Sequence, residues 1–201
     1  MTPRQLGKKR WPLLLVLLAL AACNPGSQSR TFLATDVTGA DFGNDFALTD
    51  FNGQPRTLAD FRGKLVVVFF GYLHCPDVCP TTLATLAAAR KKLGPDAARV
   101  QVVFITADPQ RDTPEPLRQY VTAFDPTFLG LRGSAEQTEQ VAKAFKVIIQ
   151  KNPAGADGSY TVDHSSGAYV YDTSGKLRLY VSYGQSAEGF AHDLAELLRA
   201  S

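Results

Sequence analysis

The chain has 201 residues, 45% apolar and 20% charged, which is the composition of one ordinary globular domain with a sizeable core and excludes collagenous, disordered and multi-span membrane classes. Twenty-one Lys and Arg against 19 Asp and Glu leave +2, too balanced for a nucleic-acid-binding footprint. Three cysteines are too few for a disulfide scaffold and one too many for a single pair, so each needs its own explanation.

Arg4, Lys8, Lys9 and Arg10 precede an apolar run from Trp11 to Ala22, the charged region, short apolar region and small-residue exit of an export signal. The run is shorter than the roughly 20 apolar residues that a bilayer core requires. Leu20-Ala21-Ala22-Cys23 resembles the bacterial lipoprotein signal, in which the cysteine is lipidated and becomes the first residue after cleavage. The expected organisation is therefore a signal over 1–22, a lipidated flexible tether over 23–40 and a folded domain over 41–201. Cleavage before Cys23 leaves 179 residues and removes four basic and no acidic residues, which turns the net charge from +2 to −2. It also removes the one Trp and the one Met, so a thioether metal ligand is excluded from the mature chain.

Lys64 to Gly71 is a continuous β-branched and aromatic run, the pattern of a strand covered on both faces. Thr82 to Leu93 reads as the helix after it, stopped by Gly94-Pro95, and Arg99 to Thr106 as a second buried strand, completing a βαβ unit. Thr113-Pro114-Glu115 opens another helix with Thr as N-cap. Ser134-Ala135-Glu136-Gln137 is a capping box for a third, running to about Ala144. Alternation in 168–172 and 177–181 marks an antiparallel hairpin. A last helix begins near Ser186, with Phe190, Leu194, Leu197 and Leu198 on one face. The order predicts an α/β thioredoxin-like fold: a central mixed β-sheet flanked by helices, with a C-terminal antiparallel hairpin and helix.

Phe69-Phe70-Gly71-Tyr72-Leu73-His74-Cys75-Pro76-Asp77-Val78-Cys79-Pro80 places two thiols past the carboxyl end of the first buried strand, where open α/β sheets bind ligands. Each cysteine precedes a proline, which disfavours a regular helix there. Cys75 is expected in a loop and Cys79 at a helix N-cap, with Pro80 as the first helical residue and unpaired N–H groups lowering the Cys79 thiol pKa. A purely structural disulfide would close only about five residues, yielding roughly 2 kcal/mol against more than 4 for a long loop. A reactive dithiol remains, whose soft sulfurs select Cu(I) and accept zinc only with two further ligands. Of the histidines, His192 falls on the polar side of the last helix and His74 adjoins Cys75. His164 stands on a loop leading into a strand, where spacing alone favours a solvated side chain.

These residues resemble the Sco/SenC family, thioredoxin-fold factors that assemble the dinuclear copper centre of cytochrome c oxidase subunit II. The resemblance runs through the 69–80 segment, through Asp108-Pro109-Gln110-Arg111-Asp112-Thr113-Pro114 and through Asp163-His164-Ser165; Leu73 departs from the threonine common in the family. The resemblance implies a copper metallochaperone, exported and held by a lipid anchor on a bacterial membrane. Cys75, Cys79 and His164 would ligate one copper ion, Cu(I) or Cu(II). Its partners would be cytochrome c oxidase subunit II, other periplasmic copper carriers and a thioredoxin-like reductant, with no nucleic acid. Asp77 and Asp163 are candidates for orienting a ligand, beside turn-forming roles. Asp108 and Asp112, with Arg111, are expected to cap the helix at Pro114 rather than to form a docking patch.

The same dithiol would also serve a thiol–disulfide oxidoreductase that keeps the cysteines of the oxidase copper site reduced. A thiol peroxidase on this fold would need one activated thiol rather than a pair. A structural zinc site would need a fourth ligand, for which only His74 is near.

Overall fold

The computed structural model describes residues 1–2, 31–155 and 158–200. The expected signal over 1–22, Cys23 and the first part of the tether therefore lie outside the described residues, apart from the first two. Three short strands come first: β1 (Thr35–Asp36), β2 (Leu48–Asp50) and β3 (Pro55–Arg56). β4 (Leu65–Gly71), α1 (Val78–Lys92) and β5 (Val100–Thr106) then form the expected βαβ unit. α2 (Pro114–Phe124), β6 (Leu129–Arg132) and α3 (Ala135–Ala144) follow, and then a ribbon of β7 (Ile149–Lys151) and β8 (Val162–His164). The hairpin β9 (Ala168–Tyr171) and β10 (Leu177–Val181) leads to α4 (Ala187–Arg199).

Eight strands make one mixed sheet in the order β1-β10-β9-β4-β5-β6-β2-β3. β4, β5 and β6 run parallel, in the register Val67↔Val102 and Ile105↔Leu131, while β9 runs antiparallel to β4. Side chains alternate across a strand, so a strand with every residue buried must be covered on both faces. Leu65, Val67 and Phe69 of β4 pack with Leu83 and Leu86 of α1, Leu117 and Val121 of α2, and Phe190, Leu194 and Leu197 of α4. Val66, Val68 and Phe70 pack on the other face with Val141, Ala142 and the adjoining Phe145. Helices therefore flank both faces of the mixed sheet, and the C-terminal hairpin and helix are present as expected.

The caps explain most boundaries. Ser134 Oγ accepts from the Gln137 N–H while the Gln137 side chain accepts from the Ser134 N–H, as its spacing predicts. Thr113 is the N-cap residue of α2 with Pro114 at the first helical position, although its side chain makes no cap hydrogen bond. Ser186 caps α4 through the Gly189 N–H.

Two expectations are corrected. α1 starts at Val78 with Asp77 at the N-cap, which puts Cys79 inside the first turn and Pro80 third rather than first. A proline in the first turn gives up no intrahelical hydrogen bond, because N–H groups there have no partner to lose, and so the two Cys-Pro steps do not delay the helix. The end of the 23–40 stretch, in turn, is docked rather than free. Phe32 and Ala34 pack against the core, the Leu33 and Ala34 N–H groups donate to the buried Asp193 carboxylate on α4 at 2.9 and 2.8 Å, and β1 pairs with β10.

A candidate metal centre at the end of β4

β4 delivers the chain to the sheet's carboxyl edge, and Gly71 lets it pass close to α1. A Cβ at position 71 would stand 2.6 Å from the Phe104 ring and 2.8 Å from Cys79 Sγ, so any larger residue would displace the sulfur. After Tyr72 the backbone turns, with the Cys75 N–H donating to the Tyr72 carbonyl at 3.2 Å. Cys75 is half-buried and Cys79 wholly buried; both are free thiols.

The first turn of α1 serves the other sulfur from the one expected: the Cys79 N–H donates to Cys75 Sγ at 3.4 Å. Burial, with the Cys75 contact second, pushes the Cys79 thiol well above the usual thiol range. The expected lowering of the Cys79 pKa is thus reversed, since an apolar pocket disfavours the thiolate more than one helix turn favours it.

His164 comes from the far end of the sequence on β8, which pairs only with β7, in the register Ile149↔His164. It lies in a strand rather than the expected loop. Its ring meets Phe69 and Tyr72 edge to face, with centroids 6.2 and 5.9 Å apart. Nδ1 lies 3.0 Å from the Ser165 carbonyl, and Nε2 lies 3.4 Å from Cys79 Sγ. A carbonyl oxygen only accepts, so Nδ1 carries the hydrogen and Nε2 presents its lone pair to the sulfurs. Burial holds the imidazole below its ordinary pKa, against the opposing pull of the Ser165 carbonyl and the Asp163 charge, which keeps the ring neutral and able to ligate.

Cys75 Sγ, Cys79 Sγ and a His164 ring nitrogen lie within 4.8 Å of one another, and among the described residues this is the one such group of three or more His, Cys, Asp or Glu donors. Two thiolates and an imidazole are a soft donor set, suited to Cu(I) and tolerant of Cu(II), and they leave an open coordination position. His74 stays outside the group, 60% exposed. His192 sits exposed on α4 with Nδ1 2.9 Å from Asp193 Oδ1, as its helix position predicts. Asp77 is exposed at the α1 N-cap and accepts from Thr81 Oγ1 at 3.3 Å. Asp163 is exposed beside His164, and the group that orients the ring is the Ser165 carbonyl, a backbone atom that no side-chain pattern announces.

Asp108 and Asp112 require correction. Neither caps α2 and neither forms a surface patch: both are fully buried at the end of β5. Asp108 pairs with Arg111 Nε, accepts from the Tyr160 hydroxyl at 3.0 Å and faces Lys151 Nζ at 3.5 Å. The Arg111 guanidinium stacks 3.6 Å from the Tyr160 ring centroid and donates to the Tyr160 carbonyl at 2.9 Å. This network ties the loop after β5 to the segment that leads into β8 and His164. Asp112 accepts from Thr106 Oγ1 at 2.5 Å and from the Leu73 N–H at 3.1 Å, which ties the same loop to the one carrying Cys75. Burial raises its carboxyl above the usual carboxylate range.

Comparison with known proteins agrees with the fold. The mouse protein called SCO2 homolog, mitochondrial, is 40% identical over 158 residues, covering 78% of this chain and 62% of its own length, so this chain spans about three-fifths of that relative. A structure of Bradyrhizobium japonicum ScoI with copper bound superposes with a TM-score of 0.71 at 38% identity, covering 78% of this chain and 99% of that one. The solution structures of apo Sco1 from Thermus thermophilus give 0.74 at 40% identity, covering 87% and 99%. The SCO1/SenC family profile matches residues 34–199, from β1 to the end of α4. With that match running through both cysteines, the Asp-Pro-Gln-Arg-Asp loop and the distant histidine, the chain belongs to the SCO1/SenC family.

Proposed function

We propose that this protein is a copper metallochaperone that holds one copper ion between Cys75, Cys79 and His164 and passes it to the dinuclear copper site of cytochrome c oxidase subunit II. The observation that carries this reading is the convergence of two thiols and a neutral imidazole, on three separate elements, within 4.8 Å. Copper uptake displaces the proton that burial keeps on Cys79, while the neutral His164 binds without a proton to lose. The open position lets a partner's ligand enter before the chain's own ligands leave, so the ion moves without passing through solution.

A second reading, a thiol–disulfide oxidoreductase acting on the oxidase cysteines, draws support from Cys75. Its sulfur is the more exposed of the two and receives the Cys79 N–H, while Cys79 stands ready as the resolving thiol. His164→Ala separates the two. Copper retention and transfer to an apo subunit II copper domain should fall at least tenfold, while the rate of thiol–disulfide exchange with that domain should stay near that of the unaltered chain. Equal copper transfer by the variant would remove His164 from the site; exchange without copper transfer by the unaltered chain would favour the redox reading.

Export and anchoring complete the proposal: residues 1–22 direct secretion, and Cys23 carries the lipid that places the domain on the extracytoplasmic face of a bacterial membrane. Among the described residues no helix is long and apolar enough to cross a membrane. Cys23→Ala should move the protein from the membrane fraction to the soluble or precursor fraction; continued membrane association at full strength, after cleavage, would overturn the lipid anchor.

A further inference from the structure

Asp112 lies beneath the dithiol loop, and its two oxygens are unequally served. Oδ2 accepts from the Leu73 N–H and the Thr106 hydroxyl. Oδ1 is sealed from solvent and has no hydrogen-bond partner. Such an orphan is expensive in a protein interior, where no water replaces the missing donor. Arg111 Nε and Lys151 Nζ face Asp108 instead. What faces Asp112 Oδ1 is His74 Nδ1, at 3.9 Å, too long for a hydrogen bond but about 1 Å from one. His74 is mostly exposed, contributes nothing to the three-donor group and directly precedes Cys75. One carboxylate thus reaches both residues that lead into the first cysteine.

We infer that Asp112 and His74 are a coupled positioning pair for Cys75: Oδ2 fixes the loop backbone at Leu73, and Oδ1 takes the His74 Nδ1–H as the loop draws in around copper. The contraction needed to bring two sulfurs and an imidazole onto one ion moves this loop, and the hydrogen bond holds Cys75 Sγ at its contracted position. Nδ1 carries a hydrogen in one neutral tautomer as well as in the imidazolium, so the bond needs no change of charge at His74. This inference rests on the copper-binding reading above.

The test is a double-mutant cycle read by competition with a Cu(I) chelator, under anaerobic conditions, on the reduced full chain. Outer-shell partners of metal ligands are worth about 10–100-fold in affinity, so Asp112→Asn and His74→Ala should each weaken copper by about tenfold. Because His74 acts only through Asp112, which also holds the Leu73 N–H, the double variant should be no weaker than Asp112→Asn alone. His74→Asn places an amide N–H near the position of Nδ1 and should recover most of the affinity, which a residue that merely fills space would not do.

Single effects that multiply to about 100-fold in the double variant would overturn the coupling. Unchanged affinity in His74→Ala would overturn it too, and that variant tests the pair even if Asp112→Asn fails to fold, since an exposed side chain is replaced. If the unaltered chain takes no copper, the copper reading and the pair fall together; if it takes copper and the His74 variants match it, the pair alone falls.

Discussion

A Cys79→Ser chain should emerge from desalting with no bound copper under conditions where the unaltered chain retains one ion, while its fold stays intact. Cys79 is fully buried at the meeting point of Gly71, Phe104 and His164, so no other thiol can take its place. A hydroxyl is a hard and weakly acidic donor, unable to replace a thiolate toward Cu(I). The loss should therefore exceed the 10–100-fold cost of an outer-shell change by a wide margin. The serine oxygen is smaller than sulfur and keeps His164 Nε2 as a hydrogen-bond partner, so thermal unfolding should shift by no more than a few degrees. Metal analysis after desalting, beside near-ultraviolet circular dichroism, checks both halves. Stoichiometric copper on a folded Cys79→Ser chain would refute the three-donor site.

The largest effect on stability is expected at Asp108. Asp108→Ala leaves the Arg111 guanidinium, 23% exposed and stacked on Tyr160, without its carboxylate, and removes the acceptor for the Tyr160 hydroxyl. Removing one partner of a buried pair costs about 3–5 kcal/mol; partial exposure of Arg111 places this case near 3. That corresponds to roughly 6–12 °C in the melting temperature of a domain this size. Copper affinity should fall with it, because Tyr160 leads into β8 and the network holds that approach in place. Denaturant unfolding measures the first effect; a change under about 1 kcal/mol would mean that Arg111 finds water as readily as it found Asp108.

The parts of the fold that are legible in the sequence share a strong local signature. The two continuous apolar runs form β4 and β5, the Ser134 box forms a cap with both hydrogen bonds made, and the four apolar positions from Phe190 to Leu198 form the buried face of α4. Where neighbours rather than local pattern decide, the sequence misleads. β7 and β8 are three residues each, too short to establish a period, so spacing assigns His164 to a loop. Its place among candidate ligands comes from the family resemblance and not from spacing. Asp108 and Asp112 read as helix caps because acidic residues before Pro114 usually are; what buries them, Tyr160 and Leu73, lies far along the chain in one direction or the other. Weighing a helix N-terminus without the apolar pocket around it misjudges Cys79. One sequence signal does point to that pocket: a glycine closing an otherwise bulky strand marks a close approach, and Gly71 makes one to Cys79.

The β7–β8 ribbon is hydrogen-bonded outside the eight-stranded sheet. A two-stranded ribbon has little stability of its own and opens locally at a fraction of the free energy of global unfolding. The imidazole rides on this ribbon while the two sulfurs are rooted where β4 meets α1, so the lifetime of an ion held between them should follow how often the ribbon lifts from Tyr72 and Ala107, against which Val162 packs.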